Sequence, residues 1–165
     1  MLTGKEISSL GIIQGFEEGN VQQQGIDVRV AKIRRLNGWG HLPKEGKTKL
    51  PEYEEIRGFE DGNAIYLTPG YYELEFMEGC KVPSNVAIKP ITRSSLVRMG
   101  GNVYSGLFDA GFETEHMGCF LHVSHSFKIE YGARVAQVIA FESNQVSNLY
   151  NGQFQNDQQR EQNEI

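Results

Sequence analysis

Two short segments hold the residues best suited to chemistry. Arg93-Ser94-Ser95 groups a guanidinium with two hydroxyls, and Leu96 and Met99 follow at helical spacing before Gly100-Gly101. A helical turn opening at the serines leaves backbone N–H groups unpaired, and these, with the dipole and the cation, favour a phosphate. Asp109 lies further on in Gly106-Leu107-Phe108-Asp109-Ala110-Gly111-Phe112. A carboxylate flanked by Leu107, Phe108 and Phe112 is expected to be partly desolvated, which makes it a better base toward water. An aspartate ahead of Ala-Gly also starts turns, and on composition alone that is the commoner outcome.

Other chemistries lack their parts. Cys80 and Cys119 are the two cysteines, too few for the Cys-rich ligand set of a zinc nucleoside deaminase, and they read as reduced, partly buried thiols of a cytosolic protein. No Walker loop, dinucleotide fingerprint or Gly-x-Ser-x-Gly elbow occurs. His122 and His125 lie three apart, which on a strand puts them on opposite faces rather than on one metal. The formal net charge of −5, from 16 basic and 21 acidic residues, gives no footprint for a nucleic acid, whereas a small phosphorylated ligand needs only a few placed donors. No apolar run approaches the roughly 18 residues of a membrane span, and the N-terminus has no export signal, so a cytoplasmic protein is expected.

The elements that position these residues read as β. The chain has 165 residues, the size of one domain, with 19 glycines set between short apolar runs. Thr3 and Glu6 form a capping box for a short N-terminal helix. Gly25 to Val30 alternates, with Ile26, Val28 and Val30 on one face and Asp27 and Arg29 on the other. Strands are expected at Ala64–Leu67, Tyr71–Phe76, Val86–Ile88, Val103–Phe108, Gly118–Val123, Phe127–Ile129 and Val135–Phe141, with one helical turn over Arg93–Met99. Turns recur about every ten residues, the spacing of a barrel or jelly-roll-like sandwich. Residues 36–63 read as a surface insertion within a domain spanning 1–149. Asn and Gln crowd the chain from residue 144 on, so residues 150–165 read as a flexible tail.

Four ordered segments carry a resemblance. Gly25-Ile26-Asp27-Val28-Arg29, Arg93-Ser94-Ser95-Leu96, Gly106 to Phe112 and Gly132-Ala133-Arg134-Val135-Ala136-Gln137-Val138 are similar to the four successive motifs of the trimeric dUTPase and dCTP deaminase superfamily. The N-terminal helix and the run Tyr71 to Phe76 before Val82-Pro83 resemble its deaminase-like branch, which includes dUTPases of its own. The resemblance implies an all-β fold, a β-clip or jelly-roll-like distorted barrel, assembled as a homotrimer with deoxynucleoside triphosphate sites between subunits. It implies that Asp109 activates the attacking water and supports the sugar 3′-hydroxyl. Arg93, Ser94, Ser95 and Gln137 would contact phosphates, and Arg98 matches a position that the deaminases use. Phe112 would pack under the deoxyribose, Asn102 and Tyr104 fall in the segment of the uracil pocket, and Phe154 would stack on the base. Asp27 would stand near Mg2+ through water or phosphate, the ion itself being held mainly by substrate oxygens.

Position 119 separates the two activities of the superfamily. The resemblance places the water-activating glutamate of the deaminases ten residues after the third-motif aspartate, and that residue here is Cys119; a bacterial arginine two before the aspartate is Leu107. A thiol does not easily replace a carboxylate that takes and returns protons. Hydrolysis of dUTP to dUMP and diphosphate is therefore expected, with dCTP deamination and a weakly catalytic nucleotide-binding or regulatory protein as the alternatives. The tail, Tyr150-Asn151-Gly152-Gln153-Phe154-Gln155-Asn156-Asp157, follows a family closing pattern up to Gln155 and then has Asn-Asp in place of Gly-Gln. Asp157 would bring an acid toward the phosphates.

Overall fold

A computed structural model describes residues 1–59 and 64–157; the ends of the predicted insertion (60–63) and tail (158–165) lie outside the described residues. Helix α1 (Gly4–Ser9) carries the expected capping box: Glu6 N–H donates to Thr3 Oγ1, and Thr3 N–H donates to Glu6 Oε2 at 2.7 Å. The strands are β1 (Ile13–Gln14), β2 (Val21–Gln22), β3 (Gly25–Asn37), β4 (Glu52–Glu55), β5 (Ala64–Leu67), β6 (Gly70–Phe76), β7 (Gly79–Lys81), β8 (Val86–Thr92), β9 (Gly101–Tyr104), β10 (Glu113–Thr114), β11 (Gly118–Val123), β12 (Phe127–Glu130) and β13 (Arg134–Glu142). A second helix, α2 (Ser94–Arg98), stands between β8 and β9.

The main sheet runs in the order β8-β13-β3-β6-β11-β9, with β2 and β4 also paired to β3. Its two ends meet: Thr92 Oγ1 on β8 accepts Val103 N–H at 2.8 Å and donates to Asn102 Oδ1 at 2.6 Å, so the sheet is a nearly closed barrel. Pro90, which cannot donate a ladder hydrogen bond, is tolerated because β8 is the terminal strand of this path. Ile26, Val28, Leu74, Phe76, Ile88, Leu121, Val138 and Ala140 fill the interior. The all-β expectation holds, with changes of extent, the largest in β3, which is expected over Gly25 to Val30 and runs on to Asn37. The predicted strand Val103–Phe108 ends at Tyr104, and Phe108 keeps only an isolated bridge to Ile88, because the chain turns away at Ser105-Gly106. The predicted strand Val86–Ile88 continues to Thr92.

Strand β3 organises the rest. Ile26, Val28 and Val30 face the core as the alternation predicts, but the next core residue is Ile33, an odd position. The parity changes where the pairing of β3 with β6 shifts register, between Val30 and Lys32, as an extra residue in one strand requires. The opposite face, with Asp27 and Arg29, is covered as well, and Asp27 is only 2% exposed. Asp27, Arg29, Lys32 and Arg34 on β3 each meet a counter-charge. Asp27 Oδ2 lies 3.1 Å from Arg93 Nε and 3.3 Å from Arg134 Nη1. Arg29 donates from its backbone N–H and its Nε to the fully buried Glu78, at 2.8 and 2.6 Å, and also pairs with Glu17. Arg34 donates to Glu73 at 2.8 Å and to Glu75 at 2.7 Å.

Removing one partner of such a pair strands the other without water. Glu78→Ala is expected to cost about 3 kcal/mol of unfolding free energy by denaturant titration; a cost under about 1 kcal/mol would contradict the pairing. For Asp27, burial pushes the carboxyl above its ordinary 3.8, against the opposing pull of Arg93 and Arg134. A carboxyl raised in the folded state contributes stability that is full below its unfolded value and declines as pH rises through its folded value. The wild type should therefore lose stability relative to Asp27→Asn as pH is raised from below 3.8. A gain over that interval would mean that the two guanidiniums outweigh burial.

Candidate active site

The segment 105–112 that leaves β9 forms one wall of a cavity of about 470 Å³. Phe112 N–H donates to the Asp109 carbonyl at 3.0 Å, closing a tight turn whose third residue, Gly111, has φ +87°. Only glycine takes that conformation freely, and a Cβ there would also lie 2.7 Å from Leu149 Cβ. Asp109 is thus both the start of a turn and a lining residue of the cavity. Its side chain is exposed, so the desolvation predicted from Leu107, Phe108 and Phe112 is absent from this chain, although all three line the same cavity. Phe112 packs on Phe108 at 5.1 Å between ring centroids and edge-on to Tyr150 at 5.3 Å.

The outer face of the barrel provides the opposite wall. Register places Tyr104, Phe120, Glu73 and Arg34 side by side across β9, β11, β6 and β3. Phe120, Glu73 and Arg34 line the cavity, with Thr114, His116 and Cys119. Arg34 is held firmly charged: burial works against the cation, but Glu73 and Glu75 more than offset it. Cys119, a lining residue, and Cys80, outside the cavity, are both buried and form no disulfide.

The C-terminal segment completes the enclosure from the same chain. Tyr150 N–H donates to Ala110 O at 2.8 Å; Gln155 Nε2 donates to Gly111 O at 2.9 Å, and its Oε1 accepts Glu113 N–H at 3.2 Å. Tyr150 and Phe154 line the cavity. Asn156, which replaces a glycine of the closing pattern, has φ +53°, a left-handed conformation that asparagine tolerates better than most residues. The expectation for the Asp157 side chain falls outside the described atoms.

Of the residues singled out from sequence, Asp109, Phe112 and Phe154 therefore share one cavity. A second group lies apart from it. Arg93 caps α2, its Nη1 donates to Arg134 O at 3.1 Å, and Gln137 is the register partner of Asp27. Ser94, Ser95 and Arg98 are exposed on α2 beside it, so this patch offers three guanidiniums, hydroxyls and an amide. The ion pairs of Asp27, the residue expected near a metal, with Arg93 and Arg134 both use Oδ2. Asn102 is tied to Thr92, and Tyr104 is half exposed across from Phe120. His122 and His125 are exposed, and no group of three metal-ligating side chains occurs among the described residues.

Sequence reading passed over Arg34, Leu50, Tyr53, Glu73, Thr114, His116, Tyr150 and Arg134. A usable signal existed for one pair: Glu73 and Glu75 alternate on one strand as Lys32 and Arg34 do on another, the pattern of cross-strand ion pairs. Leu50 and Tyr53 gave none, since nothing local shows where an insertion folds back.

Comparison with known proteins agrees with this architecture. The family model described as dCTP deaminase-like matches residues 2–143. A deoxyuridine 5′-triphosphate nucleotidohydrolase of Methanocaldococcus jannaschii is 36% identical over 148 residues, 88% of this chain and 93% of the relative. A probable enzyme of the same name from Aeropyrum pernix is 31% identical over 156 residues, 93% of this chain and 96% of the relative. Among solved structures, the 2′-deoxycytidine 5′-triphosphate deaminase of Agrobacterium tumefaciens superposes with a TM-score of 0.64 at 15% identity. That match covers 84% of this chain but 46% of the deaminase, and it supports the fold. The barrel, the order of the four motifs and the extent of the family match lead to one conclusion: this chain is a member of the dCTP deaminase-like family within the dUTPase and dCTP deaminase superfamily.

Proposed function

We propose that this protein hydrolyses dUTP to dUMP and diphosphate, as a homotrimer whose sites lie between subunits. The observation that carries the reading is the cavity itself: Asp109 stands at one wall, and position 119 on the other, where the superfamily resemblance gives the deaminases a glutamate, is a cysteine. The carboxylate that remains inside, Glu73, is bound to Arg34 and poorly placed to shuttle protons. The archaeal relatives named as deoxyuridine triphosphate nucleotidohydrolases point the same way.

In this reading Asp109 accepts a proton from a water molecule as the water oxygen attacks the α-phosphorus. The bond from that phosphorus to the bridging oxygen breaks, and diphosphate leaves with the bond's electron pair. The patch of Arg93, Ser94, Ser95, Arg98, Arg134 and Gln137 binds the phosphates. It lies apart from the cavity of its own subunit, so a neighbouring subunit must bring its copy to that cavity, and the same contact would desolvate Asp109. Phe112 packs under the sugar, Asn102 and Tyr104 flank the base, and Phe154 stacks on it. The donor set fits a Mg2+ ion carried by the triphosphate, with Asp27 reaching it only through water or phosphate, because its Oδ2 already serves Arg93 and Arg134. When bound, the ion supplies neutralisation of the phosphate charge.

Asp109→Asn removes the base and keeps the shape, and because the side chain is exposed the fold should be unaffected. The expected result is a fall in kcat of at least about 100-fold, with affinity for a non-hydrolysable imido analogue of dUTP near that of the wild type. Near-normal turnover would contradict this role for Asp109.

A further inference from the structure

The insertion at residues 36–63 carries none of the four motifs, and the sequence reads as a surface excursion. The structure gives its described part a definite place. Strand β4 pairs with the end of β3, Leu36 opposite Tyr53, and a bridge between His41 and Lys49 closes the loop before it. Leu50 and Tyr53 line the cavity across from segment 105–112. Tyr53 lies 6.5 Å from Phe120, which is itself stacked on Tyr71 at 5.3 Å with 5° between the planes. Thr48 N–H donates to Gln153 Oε1 at 3.3 Å, a bond that joins the excursion to the C-terminal segment.

This corner of the cavity suits one end of the substrate. Leu50, Tyr53, Phe120 and Phe154 offer carbon surfaces and flat rings, and of the two carboxylates that line the cavity, Glu73 is held by Arg34 and Asp109 belongs to segment 105–112. A triphosphate gains nothing from such a wall, whereas a planar pyrimidine can stack on it.

We propose that Tyr53, with Leu50, is a substrate-binding residue, the excursion supplying an aromatic wall for the nucleobase that is locked to the C-terminal segment through Thr48 and Gln153. This assignment rests on the dUTP reading and adds a binding determinant to it. Two consequences follow from the geometry. Loss of the wall should weaken nucleotide binding more than it slows the chemical step, since Asp109 lies on the opposite wall. Binding should also be sensed by Trp39, the one tryptophan of the chain, which sits in the excursion, 67% exposed, with Lys49 Nζ 4.2 Å from its ring centroid. Lys49 directly follows Thr48, so movement of the C-terminal segment is transmitted to that ring.

The test titrates the full chain with the imido analogue of dUTP while recording Trp39 emission, alongside steady-state hydrolysis of dUTP. In the wild type, emission should change saturably. Tyr53→Ala should raise the Kd and the KM about tenfold while changing kcat by less than about threefold, and Tyr53→Phe should restore both. Leu50→Ala, a change outside any strand, should weaken binding about threefold with an unaltered melting temperature, so the proposal stays testable if Tyr53→Ala folds poorly. Tyr53→Ala and Leu50→Ala proteins that fold normally and bind within about twofold of the wild type would overturn this proposal and leave the dUTP reading standing. A wild type that neither binds the analogue nor hydrolyses dUTP would overturn both.

Discussion

A strand covered on both faces cannot carry charge unless each charge finds a partner, because an uncompensated ion away from water costs several kcal/mol. Strand β3 is such a strand. Asp27, Arg29 and Arg34 each form an ion pair in which at least one side chain is buried, and they reach β13 and the α2 cap, the β6–β7 turn, and β6 respectively. These contacts fix where the other elements lie. The first sets the guanidiniums of Arg93 and Arg134 side by side on the phosphate-like patch. The third places Arg34 and Glu73 in the cavity. One requirement, that buried charges be matched, thus shapes both the basic patch and the cavity.

The register shift in β3 is the geometric counterpart of that requirement. A strict two-residue period carried from Ile26 through Val30 would put Lys32 and Arg34 into the core with it. The irregularity between Val30 and Lys32 lets Ile33 turn inward and sends both cations to the outer face, opposite Glu75 and Glu73. The cavity forms on that face.

Much of this was legible in the sequence, and what was not has a physical cause. Alternation located β3, β6, β11 and β13, the capping box located α1, and the four motifs located Asp109, Arg93 and Gln137, since all these signals are local. The covering of Asp27 and the exposure of Asp109 were missed because they depend on what packs over a strand or turn from elsewhere in the chain. Leu50 and Tyr53 were missed for the same reason: a loop full of glycine, proline and charge looks like surface until its far end pairs with β3. The Asp109 turn shows that two readings of one residue can hold together. Its carbonyl accepts the turn's hydrogen bond while its side chain lines the cavity.

Cys119 is the residue on which the choice between the two chemistries of the superfamily rests. The direct measurement follows diphosphate and ammonia together, with purified protein, Mg2+ and either dUTP or dCTP. Diphosphate released from dUTP, with no ammonia from dCTP, is the predicted result. Ammonia from dCTP would contradict it, because another group in the cavity would then be doing the work of the missing glutamate.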